Sequence, residues 1–154
     1  MPTGEGAGHV GFLSRLRRRD GREREVAKAD DAWREQLTAQ QFRVLRKRGT
    51  ERPFSNQVVR PDAEGVYRCA GCDGALFRAD AKFDSGTGWP SFTESEPGGV
   101  ELHRDFRAGI PRTEVVCRRC GGHLGHVFGD GPGPTGKRYC INGCALGPGT
   151  GASG

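Results

Sequence analysis

Two Cys-x-x-Cys pairs, Cys69/Cys72 and Cys117/Cys120, limit how this chain can fold more than any other feature. Glycine follows each pair closely and lets the backbone turn tightly enough for both thiolates to approach one metal. Four thiolates match tetrahedral Zn²⁺ and fill its shell, leaving no open position for a substrate. One structural zinc per chain is therefore expected. The 44 residues between Cys72 and Cys117 exceed the usual zinc-ribbon spacing, so the metal must tie two distant loops together. A thioredoxin-like redox motif is the alternative, and the βαβ pattern it needs is missing.

Two further cysteines, Cys140 and Cys144, complete a set of six. No apolar h-region marks a secretory leader, and no run of ~18 apolar residues is present to span a bilayer. The cluster Arg15-Leu16-Arg17-Arg18-Arg19 resembles part of a transit peptide, but Asp20, Glu23 and Glu25 follow at once. The expectation is a cytoplasmic protein, where thiols and metal thiolates persist rather than a disulfide framework. The net charge of +5 is spread among interspersed acids, which speaks against a nucleic-acid stripe.

Residues 1–29 are Gly- and Arg-rich and are expected to form a disordered tail, with one domain over 30–147 and a loose C-terminal tail over 148–154. Thr38-Ala39-Gln40-Gln41 fits a capping box, Phe42, Val44 and Leu45 supply an apolar face, and Gly49 ends the helix. From Pro53 onward, short alternating runs at 65–68, 100–103, 113–116 and 138–141 are separated by Gly, Pro, Asp and Ser. That pattern belongs to a mainly β domain of antiparallel strands with long loops.

Within Arg138-Tyr139-Cys140-Ile141-Asn142, alternation puts Arg138, Cys140 and Asn142 on one strand face. A guanidinium two positions from a thiol favours the thiolate, the nucleophilic form. Upstream, Gly122-His123-Leu124-Gly125-His126-Val127-Phe128 supplies two imidazoles and an aromatic ring. His-x-x-His could be half of a metal site, but no third N or O ligand follows at a recognisable spacing.

Several long blocks identify a family. They are Arg48-Gly49-Thr50-Glu51-Arg52-Pro53-Phe54, Tyr67-Arg68-Cys69-Ala70-Gly71-Cys72, the run from Lys82 to Phe92 containing Gly88-Trp89-Pro90-Ser91-Phe92, the run from Cys117 to Phe128, and Pro134 to Asn142. From about Trp33 to Leu146 the chain resembles the B-type methionine-R-sulfoxide reductases. The resemblance implies two antiparallel sheets in a tent-like arrangement, a short N-terminal helix, a structural zinc on Cys69, Cys72, Cys117 and Cys120, and reduction of methionine R-sulfoxide. It makes Cys140 the nucleophile, and His123 and His126 the groups that hold and protonate the sulfoxide oxygen. Trp89, supported by Phe128, becomes the wall for the S-methyl group, with Arg138 and Asn142 flanking the thiol.

Such chemistry needs a soft nucleophile for sulfur and an acid for the departing oxygen. It leaves a cysteine sulfenic acid that another thiol must reduce, so thioredoxin, glutaredoxin or a small thiol is an expected partner alongside oxidised methionine in peptides and proteins. A monomer without nucleic-acid or membrane partners is expected. Many relatives carry a resolving cysteine where this chain has Thr87. Cys144 is an extra thiol and a possible resolving partner. On a continued strand it lies ~13 Å from Cys140, beyond the ~7 Å between Cα atoms that a disulfide tolerates; a turn at Gly143 would shorten this. A zinc module that binds nucleic acid, and a redox sensor that has lost turnover, are the rival readings; neither uses the full set of Trp89, His123, His126 and Cys140.

Overall fold

The computed structural model describes residues 24–56 and 58–147. Among the described residues, two short helices come first, α1 (Asp30–Gln36) and α2 (Ala39–Lys47). The capping box forms as expected: the Gln41 amide donates to Thr38 Oγ1 at 3.1 Å, and the Thr38 amide donates to Gln41 Oε1 at 2.9 Å. α1 was not foreseen in the sequence. Its signal was Asp30 and Asp31 in the first turn, where carboxylates suit the positive end of a helix. Trp33 is its fully buried anchor. α2 ends at Lys47, two residues before Gly49, because Arg48 itself takes the left-handed conformation at φ 61°. For a residue with a Cβ this costs about 1–2 kcal/mol, and the ion pairs of the Arg48 side chain, given below, offset it.

Nine strands follow among the described residues: β1 (Val66–Cys69), β2 (Ala75–Arg78), β3 (Lys82–Phe83), β4 (Ser91–Phe92), β5 (Val100–Asp105), β6 (Arg112–Cys117), β7 (His123–Phe128), β8 (Arg138–Ile141) and β9 (Leu146–Gly147). All pair antiparallel, in a three-stranded sheet ordered β2-β1-β9 and a six-stranded sheet ordered β3-β4-β8-β7-β6-β5. The mainly β architecture of two antiparallel sheets read from the sequence is therefore the one observed. The sheets meet over an aromatic cluster: Phe77 of β2 stacks on Phe92 of β4 at 4.3 Å, and Tyr67 and Tyr139 meet these rings edge-on.

The expected tail boundary at residue 29 falls within the described chain. Arg24 is paired with Glu101 at 3.0 Å, and the Val26 amide donates to the Arg119 carbonyl, so residues 24–29 lie against the domain. Residues 1–23 and 148–154, expected to be tails, lie outside the described residues. No helix among the described residues is long and apolar enough to cross a membrane.

Candidate active site and metal centre

The two Cys-x-x-Cys pairs occupy hairpin turns of different sheets, β1–β2 and β6–β7. Their turns are built alike. Cys69 N–H donates to Gly74 O while Cys69 O accepts from Asp73 N–H; Cys117 N–H donates to Gly122 O while Cys117 O accepts from Gly121 N–H. The residue four past each first cysteine is left-handed, Asp73 at φ 70° and Gly121 at φ 77°. All four sulfurs lie within 4.8 Å of one another. Cys69 and Cys120 are 3.8 Å apart and Cys72 and Cys117 3.5 Å. A tetrahedron with ligands at 2.3 Å from its centre has edges of about 3.8 Å, so the four thiols fit a metal of that radius. Gly71 N–H points at Cys69 Sγ (3.3 Å), and the Arg46 guanidinium lies 3.6 Å from Cys120 Sγ. These positive groups suit thiolates. The four cysteines can hold a metal ion, and doing so joins one sheet to the other.

Cys140 stands on β8 between two partners in register, Ser91 of β4 and His126 of β7. Directly opposed residues of antiparallel strands share a face, so thiol, hydroxyl and imidazole converge. The alternation expected for β8 holds, with Tyr139 and Ile141 buried and Arg138 and Cys140 half-buried. Cys140, His126, Asn142, Trp89 and Phe128 line one cavity of about 120 Å³ together with Thr50, Gly125 and Arg112. Drug-sized ligands need about 300–1,000 Å³; this space suits the end of one side chain. A Cβ added at Gly125 would lie 2.1 Å from the Cys140 carbonyl oxygen, which explains glycine there.

Trp89 is half-buried rather than a core residue, and its indole Nε1–H donates to the Glu51 carbonyl at 3.1 Å. Asn142 holds the end of β8: its Oδ1 accepts from Glu51 N–H and its Nδ2 donates to Leu124 O, each at 2.9 Å. Arg138 is not in the cavity lining. It stacks on Phe128 at 4.6 Å and binds Asp130 at 2.8 Å. Burial pushes the Cys140 thiol above its ordinary pKa, while Arg138 and the Thr87 hydroxyl pull it back. The sequence argument that Arg138 favours the thiolate has the right sign, and desolvation outweighs it.

The histidines differ. His126 lines the cavity, whereas His123 is fully buried and outside its lining. Three apart on a strand, they would face opposite ways, but the β6–β7 register slips between Val115 and Val116. This bulge brings the two rings to 5.5 Å. Each ring has its own buried carboxylate, which sequence reasoning missed. His126 Nε2 meets Asp105 at 2.7 Å, and His123 Nδ1 meets Glu114 at 2.6 Å. Arg107 binds Asp105 through both carboxylate oxygens and holds it well below the usual carboxylate range. Arg48 reaches both acids, at 3.6 Å and 3.2 Å, and Arg112 approaches Asp105 at 3.6 Å. Burial depresses the His126 pKa, opposed by Asp105 and reinforced by Arg112 and His123.

Cys144 lies elsewhere. The strand ends at Ile141 and a single 3₁₀ turn covers Gly143–Ala145, so the turn at Gly143 does form. Yet Cys144 lines a separate cavity with Gln41, Asn56 and Val59. Burial and the nearby Glu51 carboxylate push its thiol up to about 12. Glu51 also accepts from the Gly143 and Cys144 amides, capping that turn.

Residues 37–148 match the SelR domain. The chain belongs to the SelR family. Several relatives are named peptide methionine sulfoxide reductase MsrB. One from Agrobacterium fabrum is 58% identical over 122 residues, 79% of this chain and 90% of that protein. One from Bradyrhizobium diazoefficiens is 55% identical over 122 residues, covering 79% and 88%. One from Methanosarcina mazei is 52% identical over 123 residues, again covering 79% and 88%. The sequence resemblance thus names the right family, and the family match covers both Cys-x-x-Cys pairs, the histidines and Cys140.

Proposed function

We propose that this chain reduces methionine R-sulfoxide in peptides and proteins, repairing oxidative damage with Cys140 as the nucleophile. What carries the reading is the cross-strand pairing of Cys140 with His126 beside Trp89 in one small cavity, within a SelR-family chain. Four thiolates, Cys69, Cys72, Cys117 and Cys120, hold one zinc that is structural: it fixes the turns and takes no part in the reaction.

Asp105, ionised and able only to accept, fixes the His126 proton on Nε2 and leaves Nδ1 for the cavity. Neutral Nδ1 takes the Cys140 proton, and the thiolate attacks the substrate sulfur. The imidazolium, stabilised by Asp105, then returns that proton to the sulfoxide oxygen. The attack forms a bond between Cys140 sulfur and the substrate sulfur; the protonated oxygen then migrates to Cys140, so that a Cys140 S–O bond forms while the S–S and substrate S–O bonds break and methionine leaves. The thiol hydrogen ends on the sulfenic acid, so atoms and electrons balance. His123 and Glu114 support His126 from behind. Trp89 and Phe128 receive the S-methyl group opposite the oxygen site, and this separation of methyl from oxygen selects one epimer. Turnover of the two epimers, assayed separately with dithiothreitol, tests the reading: only the R form is consumed, and equal rates or none would sink it.

A pH profile follows. The active form carries one proton shared between His126 and Cys140. His126 faces Asp105 of β5, Arg112 and Glu114 of β6, His123 of its own strand and Cys140 of β8. With the imidazole shifted down and the thiol shifted up, kcat/KM is expected to stay flat across neutrality. It falls on the acid side below the ordinary His value and on the alkaline side above the ordinary Cys value. A peak confined to a narrow range near neutrality contradicts the assignment.

Recycling uses an external thiol. Thioredoxin, glutaredoxin or a small thiol attacks the Cys140 sulfenic acid, releases water, and a second thiol resolves the mixed disulfide. With Thr87 in the segment where many relatives carry a resolving cysteine, one equivalent of substrate should leave a chain heavier by one oxygen with only Cys140 blocked. Loss of two thiols without added oxygen overturns this route. Cys144→Ala should leave turnover unchanged.

A further inference from the structure

Arg112 opens β6, opposite Asp105 of β5 and two positions before Glu114, which pairs with His126. Alternation puts it on the strand face that carries the Glu114–His126 pair. Among the described residues lining the cavity, it carries the one permanent charge. Its Nε is buried and has no hydrogen-bond partner among the described residues. Its Nη2 stands 3.6 Å from Asp105 Oδ2, an ion pair longer than a hydrogen bond. Asp105 does not depend on this contact, because Arg107 binds its two oxygens at 3.0 and 2.9 Å. The guanidinium is therefore positioned at the cavity with donors to spare.

The substrate brings an acceptor that needs them. A sulfoxide oxygen holds the negative end of a strongly polar bond and can only accept hydrogen bonds. The cavity has room for little beyond the methyl sulfoxide end of a side chain, so a lining group meets that end. Other lining donors are committed: Trp89 Nε1–H to the Glu51 carbonyl, Asn142 Nδ2 to the Leu124 carbonyl, and the His126 proton to Asp105. His126 Nδ1 is an acceptor until Cys140 gives up its proton, so it cannot hold the oxygen of an incoming substrate. Thr50 offers one neutral hydroxyl. The guanidinium offers several donors, keeps its charge and has no lone pair.

We propose that Arg112 binds the sulfoxide oxygen, holding it from the moment of docking until His126 protonates it. As the thiolate attacks sulfur, negative charge builds on that oxygen, and a charge-assisted hydrogen bond stabilises it. Arg112 adds no covalent step and moves no proton. It also sharpens the choice of epimer. Trp89 precedes β4 and Arg112 begins β6, with β8 and β7 between those strands, so indole and guanidinium flank the cavity from different sides. An epimer with methyl and oxygen exchanged turns its oxygen toward the indole and its methyl toward the charge.

The inference rests on the reductase reading, and binding measurements separate the two. The metal-loaded, full-length Cys140→Ser chain is titrated by calorimetry with N-acetylmethionine amide and with its R-sulfoxide, ligands that differ by the oxygen alone. The sulfoxide should bind more tightly. Arg112→Met, which keeps length without charge, should weaken the sulfoxide about tenfold and leave the sulfide unchanged. Arg112→Lys should recover part of the loss. Sulfide affinity doubles as the check on folding, since a merely structural role for Arg112 moves both ligands together. Equal weakening of the two ligands overturns the proposal, and so does an unchanged sulfoxide affinity. A Cys140→Ser chain that binds sulfide and sulfoxide alike overturns it before Arg112 is touched, while turnover of the R epimer by the wild type reports separately on the reductase reading.

Discussion

Cys140→Ser is expected to yield a folded, metal-binding protein whose sulfoxide reduction is lost by ~10³-fold or more, the scale on which removing a nucleophile acts. A serine hydroxyl is a hard, weakly acidic nucleophile, and the electrophile here is a soft sulfur atom. Nothing else in the cavity replaces the thiol: Thr50 offers the same hard oxygen, and Cys144 lines another cavity with its thiol pushed up to about 12. Structure should be spared. Cys140 is half-buried, oxygen is smaller than sulfur, and the backbone pairing of β8 with β4 and β7 does not use the side chain. The thermal transition and metal content of the variant should therefore match wild type. Turnover within tenfold of wild type would move the nucleophile away from Cys140.

Much of this site was legible because its signals are local. Arg138-Tyr139-Cys140-Ile141 alternates over four residues, and the observed strand has those bounds. Thr38 and Gln41 are three apart, and their reciprocal bonds form as read. Each Cys-x-x-Cys pair is a single turn. What escaped is what pairing across strands decides. Asp105 lies 21 positions from His126 and Glu114 lies 9 from His123, distances that carry no periodic signal. The two histidines share a side only through a bulge, which shows in the register and not in the composition. Arg48 and Glu51 belonged to a recognisable block, but their tasks depended on which buried acid and which turn lay nearby: Arg48 spans Asp105 and Glu114, and Glu51 caps the turn after Cys140. Arg138 shows the limit of reasoning from adjacency. Two residues from the thiol, it does favour the thiolate, but Asp130 shares its charge and burial sets the balance.

The largest effect on stability is expected at the metal centre, where Cys117→Ser should cost more than any substitution around the cavity. Cys117 is fully buried, ends β6, and shares the cluster with Cys69 of β1, so the centre joins the two sheets at their turns. The unfolded chain has no preformed site, and the free energy of metal binding, about 10–16 kcal/mol in small zinc modules, therefore adds directly to folding. A whole domain is stable by only about 5–15 kcal/mol, so weakening the site by one thiolate removes a large share of that margin. The loss should also be felt at a distance. Cys120 is three residues before His123, and Gly122 sits against Leu45 of α2, so a loosened β6–β7 turn frees the histidines as well as the sheet contact. Metal analysis should find one zinc per chain in the wild type and much less in Cys117→Ser, with a broad transition at lower temperature. Stripping the wild type with a strong chelator should produce the same broad transition, and returning zinc should reverse it. A metal-free protein that keeps a sharp, unshifted transition would show that the four thiols pack as a core and that the centre contributes nothing to folding.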